Sequence, residues 1–459
     1  MEDNENKMLN IPDIIREIRK IRQPDSFLPL EKKTNSKSQS WVQWGNNKTY
    51  NIGLHYEIIA RENKIYAEFH VEPENNVSRD MAENIKFSLK KEFENVKNIS
   101  ISDWYTLHNG LVIRLGDGVA VADYEDFEKL QNELSGQMKE LYNKLGGEAI
   151  FAKISNIAMK YTLKKLLKSS KQLILTGAPG TGKTRLATEI AKEMTEDGGE
   201  YTQVQFHPGY DYSDFIIGLK PKVAPDGKTV TFEWKDGVFK KFAKKAYDEY
   251  KRAGNEAKPF IFIIDEINRA DLSRVFGEVF SLLEEDYRYP NKEKGITLPN
   301  GKDFILSSNL YIIGTMNDID RSVESMDFAL RRRFSWKEVT AEDSVRIIYD
   351  SDITSKEVLE QVMAELNKYI GGIELEIDMQ KVSLNLGNEY KLGGAYFKNF
   401  SRYQGKDGAW DKLWNNHIAI ILNEYLRGHS LRSKIMEALR DKYDKICSLP
   451  KQNTENKEN

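Results

Sequence analysis

The residues Gly177-Ala178-Pro179-Gly180-Thr181-Gly182-Lys183-Thr184 fit the pattern G-x-x-x-x-G-K-[ST] at every fixed position. A loop of this composition lets backbone N–H groups close around phosphate oxygens, and a helix starting behind it adds the positive end of its dipole. Lys183 is placed to reach the β- and γ-phosphates, and the Thr184 hydroxyl to ligate Mg²⁺. Arg185, the next residue, is grouped with the loop as a nucleotide-binding candidate. The bland reading is a glycine-rich turn opening an ordinary helix. Against it stand the flanks: Leu173-Ile174-Leu175 reads as a buried strand, and Leu186, Ala187, Ile190, Ala191 and Met194 recur at helical spacing. Strand, loop and helix together imply a nucleoside triphosphate site.

A second run, Phe260-Ile261-Phe262-Ile263-Ile264-Asp265-Glu266, fits a strand buried on both faces of a parallel sheet with two carboxylates at its C-terminal end. Ligands of open α/β sheets sit at that edge. Asp265 is placed to hold Mg²⁺, and Glu266 to polarise the attacking water, which requires an ionised carboxylate. A third, Tyr311-Ile312-Ile313-Gly314-Thr315-Met316-Asn317, ends in an amide that could orient that water. Downstream, Asp327-Phe328-Ala329-Leu330-Arg331-Arg332-Arg333-Phe334 carries a basic triplet. Surface charge is the ordinary meaning of such a triplet. The role favoured here is a guanidinium supplied across a subunit interface to the developing γ-phosphate charge.

This order of motifs resembles the AAA+ class, and the details are similar to the McrB family of modification-dependent (5-methylcytosine-specific) restriction systems. The matching segments are Val204–His207 through Asp214–Ile216, Asp236–Phe239, Phe262–Glu278 and Tyr311–Phe334. The resemblance covers roughly residues 170–340, continues more weakly to Phe397 and does not extend before residue 150. It implies an α/β fold: a P-loop core with a parallel sheet sandwiched by helices, then a C-terminal helical lid. It makes Gly177 to Thr184 the phosphate loop, Thr184 and Asp265 the Mg²⁺ ligands, Glu266 and Asn317 catalytic, and Arg332 and Arg333 fingers acting in trans. The family's Met-Asn-Thr-Ala-Asp-Arg reads Met316-Asn317-Asp318-Ile319-Asp320-Arg321 here, so Asp320 and Arg321 join the catalytic candidates while Asp318 and Ile319 depart from the pattern. Asp318 adds negative charge close to the expected γ-phosphate. Gly393-Gly394-Ala395-Tyr396-Phe397 aligns with a family stretch bearing Gly-His-Ser before Tyr-Phe, so a polar lid sensor is not expected there. The family further implies GTP as substrate, with ATP open, a homo-oligomeric hexameric ring, an McrC-like nuclease subunit and DNA, methylated or not. Tyr161 and its surroundings are candidates for the base pocket. A different class, the MoxR-type ATPases that remodel protein partners, shares the same hydrolytic parts.

The surrounding elements must position these groups. With 459 residues there is room for about three domains. A chain 40% hydrophobic and 30% charged is a globular composition, and a net charge of −3 argues against a histone-like binder coated in base. A single cysteine, Cys447, cannot form an internal disulfide, no apolar signal core or membrane-length run is present, and a cytoplasmic protein is expected. The expected domains are a polar segment 1–40, an α+β domain 41–147, the nucleotide-binding core 150–340, a helical lid 341–447 and a disordered tail 448–459. Within 1–40, Ile11 to Ile21 could form a short amphipathic helix and Lys32 to Gln39 looks like a linker. Alternation predicts strands over Tyr50–Ile58 and Ile65–Val71 joined near Glu62-Asn63, and the four-residue recurrence of Met81, Ile85, Leu89 and Phe93 predicts a helix. Short strands near Ile99–Trp104 and Leu111–Leu115 and a helix bearing Phe127, Leu130, Leu134, Met138 and Leu141 complete the unit.

This domain is the place for a DNA reader. Trp41, Trp44, Tyr66, Trp104 and Tyr105 could stack on an unpaired base with Arg61, Lys64 and Lys97 meeting phosphates, although strand spacing alone favours core positions for the aromatics. Glu57, Glu68 and Glu72 lie on the two strands without a convincing Asp/Glu-x-Lys, which points to a solvated strand face and a nuclease on another chain. Lys160, Lys164, Lys165, Lys168 and Lys171 read as a charged helix face. The six histidines show no metal-ligand spacing, so no structural zinc is expected.

Overall fold

A computed structural model describes residues 11–20, 32–33, 41–49, 52–73, 77–103, 110–121, 126–223, 229–319, 328–384 and 386–448. The chain divides into two compact units, Met1–Thr162 and Leu163–Asn459, with the helix Ala149–Ser170 running from one into the other.

The first unit is built on an antiparallel sheet in the order Lys32–Lys33, Trp41–Thr49, Ile52–Arg61, Lys64–Pro73, Leu111–Leu115, Ile99–Asp103, with Val119–Ala120 also beside Lys64–Pro73. Side chains alternate between faces of a strand. One face gathers Leu54, Tyr56, Ile58, Ala67, Phe69 and Val71 into a core with Ile85 and Leu89 of the helix Arg79–Phe93 and Leu130, Leu134 and Met138 of the helix Phe127–Lys144. The N-terminal segment is less separate than expected: the helix Ile11–Lys20 sends Ile14, Ile15 and Ile18 into the same core, and Lys32 and Lys33 of the expected linker pair with Trp44 and Gln43.

The other face corrects the expectation of a solvated carboxylate row. Glu57 and Glu68 are 2% and 0% exposed, and only Glu72, at 29%, meets solvent. Burial is tolerated at Glu68 because Arg61 donates to both its oxygens at 2.6 and 2.7 Å, and Arg114 Nε and His70 Nε2 approach at 2.7 and 2.8 Å. Burial pushes this carboxyl up, but the hydrogen bonds from His70 and Arg61 prevail and bring it down to about 2. Of the aromatics considered as base-stacking surfaces, Trp44 is buried, and Tyr66 lies beneath the Arg114 guanidinium at 4.4 Å. Trp104 and Tyr105 fall outside the described residues.

In the second unit five parallel strands run in the order Ser335–Glu338, Gln172–Thr176, Leu310–Thr315, Phe260–Asp265, Glu200–Gln205. Phe260 to Ile264 are all buried, as a strand inside a parallel sheet requires. The parallel register brings Thr176, Asp265 and Thr315 to one edge of the sheet. At the opposite edge the fully buried Arg288 donates to the carbonyls of Leu283, Ser307 and Leu310 and to Gln172 Oε1, tying the strand starts together. Residues beyond 341 form mostly helices, including Lys356–Ile370, Ala419–Tyr425 and Arg432–Cys447, around a core with Val362, Leu366, Ile418, Leu422 and Leu439. A small hairpin, Leu375–Ile377 with Gln380–Val382, interrupts them. Its turn residues Asp378 and Met379 both have positive φ, a geometry usually signalled by Asn-Gly, so no turn motif marks it. Among the described residues no helix is long and apolar enough to cross a membrane.

Candidate active site

The loop between Thr176 and Lys183 has Gly177, Gly180 and Gly182 at positive φ. At Gly182 the φ of 79 favours glycine, and a Cβ there would also push on the Ile347 side-chain end at 2.6 Å. Gly182 caps the helix Lys183–Thr195, whose first N–H groups therefore open toward the loop. The Lys183 ammonium is buried at the loop's centre and donates to the carbonyls of Gly177 and Ala178 at 3.0 and 2.8 Å. Thr181 Oγ1 closes the turn on Ala178 O at 3.0 Å.

Three strand ends meet behind the loop. Thr184 Oγ1 donates to Asp265 Oδ1 at 2.6 Å, and Thr315 Oγ1 donates to the same oxygen at 2.5 Å. The Thr315 hydroxyl also accepts from the Glu266 N–H at 3.3 Å. Glu266 sits in the left-handed region at φ 52 and ψ 47, a conformation that costs a non-glycine residue about 1–3 kcal/mol and recurs at functional sites. Its carboxylate is held from two sides, by Asn317 Nδ2 at 2.9 Å and Arg269 Nε at 3.2 Å. Asp265 and the hydroxyl of Thr184 are hard oxygen donors facing one another, a donor set that suits Mg²⁺. Thr315 and Arg269 were not singled out from the sequence. Thr315 was within reach, lying in the same run that delivers Asn317, but residue type alone did not mark it for a role.

The remaining expected site residues separate into groups. Arg185 points along its helix, paired with Glu189 at 2.7 Å and Asp350 at 2.6 Å. The buried Arg346 approaches Glu189 from the other side at 3.1 Å, so two arginines and two carboxylates connect the phosphate-loop helix to the segment beginning the lid. Asp318 places its N–H 3.5 Å from Gly177 O, and burial raises its carboxyl above the usual range against the pull of Lys183. Asp320 and Arg321 lie outside the described residues. Arg332 and Arg333 share Glu284, at 3.5 and 2.5 Å, and Arg333 lies over Phe280. They stand beside Ser335, which pairs with Leu173 at the start of its strand. The loop follows the other end of that strand, so about 20 Å of extended chain separates Arg333 from Gly177. The arginines therefore stand at the opposite edge of the sheet from their own chain's loop.

The Gly393-Gly394-Ala395-Tyr396 stretch, where a polar sensor was not expected, packs directly on the phosphate loop. Ala395 N–H donates to Gly180 O at 3.0 Å and Gly393 N–H to Pro179 O at 3.3 Å. A Cβ at Gly393 would overlap the backbone of Gly180 and Thr181, which leaves no room for a larger residue there. The lid thus touches the loop through main chain.

Residues 172–334 match the model of the AAA domain, dynein-related subfamily. The chain is 36% identical over 276 residues to the type IV methyl-directed restriction enzyme EcoKMcrB subunit of Escherichia coli K12, covering 58% of this chain and 56% of that protein. It is 32% identical over 193 residues to the type II restriction enzyme BsuMI component YdiS of Bacillus subtilis 168, covering 36% and 55%. A cytoplasmic dynein heavy chain of Eremothecium gossypii is 28% identical over 159 residues, which is 34% of this chain and 3% of that one. The chain thus spans little more than half the length of the two restriction-system relatives it matches. The glycine loop, the paired carboxylate strand end and the asparagine strand thus assemble on one sheet edge within residues 172–334, which match the AAA domain, in a chain similar to an McrB subunit.

Proposed function

We propose that this protein is a Mg²⁺-dependent nucleoside triphosphatase, working as an AAA+ ring that drives DNA restriction with a separate nuclease subunit. The observation that carries the reading is the convergence of Thr184, Asp265, Thr315, Glu266 and Asn317 behind one phosphate loop. Thr184 and Asp265 would hold the metal ion, whose chemistry when bound is to neutralise phosphate charge. Lys183 and the loop N–H groups bind the β- and γ-phosphates, and the helix dipole reinforces them. Glu266, anchored by Asn317 and Arg269, orients and polarises the attacking water.

A turnover site of this kind uses a guanidinium at the γ-phosphate, and neither Arg332 nor Arg333 stands beside its own chain's loop. The distant position of Arg332 and Arg333 suits a donor in trans, and Arg332, the more exposed at 68%, is the one placed to reach across an interface. This makes an oligomer, a hexamer by resemblance, a condition of hydrolysis. That two relatives are restriction-enzyme components supports DNA as the ultimate target, with the first unit as reader. GTP is favoured over ATP by resemblance alone.

The test is phosphate release by the purified protein with GTP and with ATP, each with and without methylated and unmodified duplex DNA. GTP preference, or stimulation by DNA, supports the restriction reading. ATP preference with no response to DNA would favour a MoxR-type remodelling role, and no hydrolysis of either nucleotide under any condition would overturn the enzymatic reading.

A further inference from the structure

The sheet of the first unit carries a polar cluster that the nucleotide site does not use. A two-residue turn at Glu62-Asn63 sets His55 directly opposite His70 in the register of strands Ile52–Arg61 and Lys64–Pro73. Alternation then puts Glu57 and Glu72 on the same face as the two imidazoles. His55 Nε2 lies 3.0 Å from Glu57 Oε2 and 3.5 Å from Glu72 Oε1, while His70 Nδ1 lies 3.2 and 3.7 Å from the same two oxygens. Donor atoms from all four residues fall within 4.8 Å of one another. Tetrahedral coordination at bond lengths of about 2.0–2.1 Å needs donors roughly 3.3 Å apart, close to the four separations given.

Three features distinguish this cluster from an ordinary buried polar network. The ring of His70 is oriented from behind: its Nε2 meets Glu68 at 2.8 Å, leaving Nδ1 toward the other three groups. Glu68 is itself fixed by Arg61 and Arg114, so a carboxylate–histidine pair of the kind that orients metal ligands is already assembled. Next, the charges are unevenly matched. Glu68 has two guanidinium partners, whereas Glu57, only 2% exposed, faces His55, His70 and the Gln43 amide. Glu57 has no guanidinium or ammonium partner among these groups, and a divalent ion would neutralise the buried carboxylate more fully than imidazole alone. Finally, His55 Nδ1 is buried without a hydrogen-bond partner among the described residues, so the polar contacts of this ring run through Nε2, toward the cluster.

We propose that His55, Glu57, His70 and Glu72 form a binding site for a divalent transition-metal ion, with zinc the best match to mixed imidazole and carboxylate donors. Gln43 Nε2, 2.9 Å from His55 Nε2, would turn its amide over so that the oxygen faced the ion. Glu72, on the half-exposed rim, marks the side of entry.

The experiment uses the full chain, stripped with a chelator and dialysed against Zn²⁺, Mn²⁺ or Co²⁺ at micromolar free concentration. Retained metal is measured by mass spectrometry, with the visible absorption of Co²⁺ reporting coordination. About one equivalent of Zn²⁺ per chain is expected, with Co²⁺ bands of a nitrogen–oxygen site. Glu72→Gln, at the rim and compatible with the fold, should weaken binding at least about 10-fold, and His55→Gln should abolish it. Lys183→Ala should bind Zn²⁺ as the parent does, which separates this site from the phosphate loop. Retention below about 0.1 equivalent of all three ions, or unchanged affinity in both Glu72→Gln and His55→Gln, would overturn the site and leave a hydrogen-bonded network.

Discussion

Replacing Thr315 by valine tests whether the two carboxylates at the strand ends work as a fixed pair. Valine keeps the shape and deletes one hydroxyl. That hydroxyl donates to Asp265 Oδ1 at 2.5 Å and accepts from the Glu266 N–H at 3.3 Å, so its loss touches both residues at once. A hydrogen bond to a charged acceptor contributes about 1.5–3 kcal/mol. Asp265 is part-exposed and keeps the Thr184 hydroxyl, so water can replace the lost donor and the lower figure applies. At about 2–4 °C per kcal/mol, the melting temperature should fall by about 3–6 °C. Function should suffer more than stability, because the carboxylate that would hold Mg²⁺ becomes able to rotate and Glu266 loses the bond that supports its left-handed backbone. Loss of an orienting partner behind a metal ligand typically costs about 10–100-fold in metal affinity or activity. The assay is phosphate release against Mg²⁺ concentration, with nucleotide affinity measured separately by a fluorescent analogue. Expected are a higher Mg²⁺ requirement, turnover lowered about 10–100-fold, and nucleotide affinity within about threefold of the parent, since the loop is intact. Turnover within twofold of the parent at every Mg²⁺ concentration would refute the claim that Thr315 fixes the pair.

Glu266→Gln keeps an acceptor for Asn317 but loses the charge that polarises water, so nucleotide binding should persist while turnover falls by about 10²-fold or more; full turnover would remove Glu266 from that role. Arg332→Ala and Lys183→Ala should each be inactive alone, yet mixed subunits should recover activity wherever an intact arginine meets an intact loop, and no recovery in mixtures shown to co-assemble would deny the composite site. Gly393→Ala forces a methyl group into the Gly180 backbone, an overpacking of about 1–3 kcal/mol that should lower both the melting temperature and nucleotide affinity. Burial raises the Asp318 carboxyl, so its ionised form opposes folding above the raised value, and the penalty disappears as pH falls toward the ordinary aspartate range. Asp318→Asn should therefore melt higher at pH 8 with a gain that shrinks on acidification, and a gain independent of pH would exclude desolvation as its cause.

What the sequence disclosed, and what it hid, follows from how each feature is encoded. The phosphate loop was legible because its chemistry is written in consecutive residues, with Gly182 and Lys183 adjacent at a helix start. The carboxylate and asparagine strands were legible because a parallel sheet delivers strand ends to one edge whatever the intervening loops do. Thr315 and Arg269 lie inside matching segments, but their roles depend on a pairing between segments about 50 residues apart and on a local turn, which residue type alone does not reveal. The main-chain contact between lid and loop was hidden for a related reason. Gly394-Ala395 in place of a His-Ser pair speaks only about side chains, whereas the contact is made by backbone, with Gly393 too close to Gly180 for a Cβ.

The histidine and glutamate cluster shows where stronger inference was open. Both strands and the turn at Glu62-Asn63 were expected from alternation, and a two-residue turn fixes register completely: Arg61 faces Lys64, and six steps back along each strand His55 faces His70. The histidines were compared along the chain, where 15 positions separate them and no ligand pattern emerges. Compared across the hairpin, they are nearest neighbours, flanked on one face by Glu57 and Glu72. The three glutamates were read as a solvated face because charged residues are seldom buried. That prior fails where each charge has a partner on the next strand, as Glu68 has in Arg61 and Arg114. Glu57 is the residue for which such pairing falls short, and it is therefore the one whose burial most requires a cation.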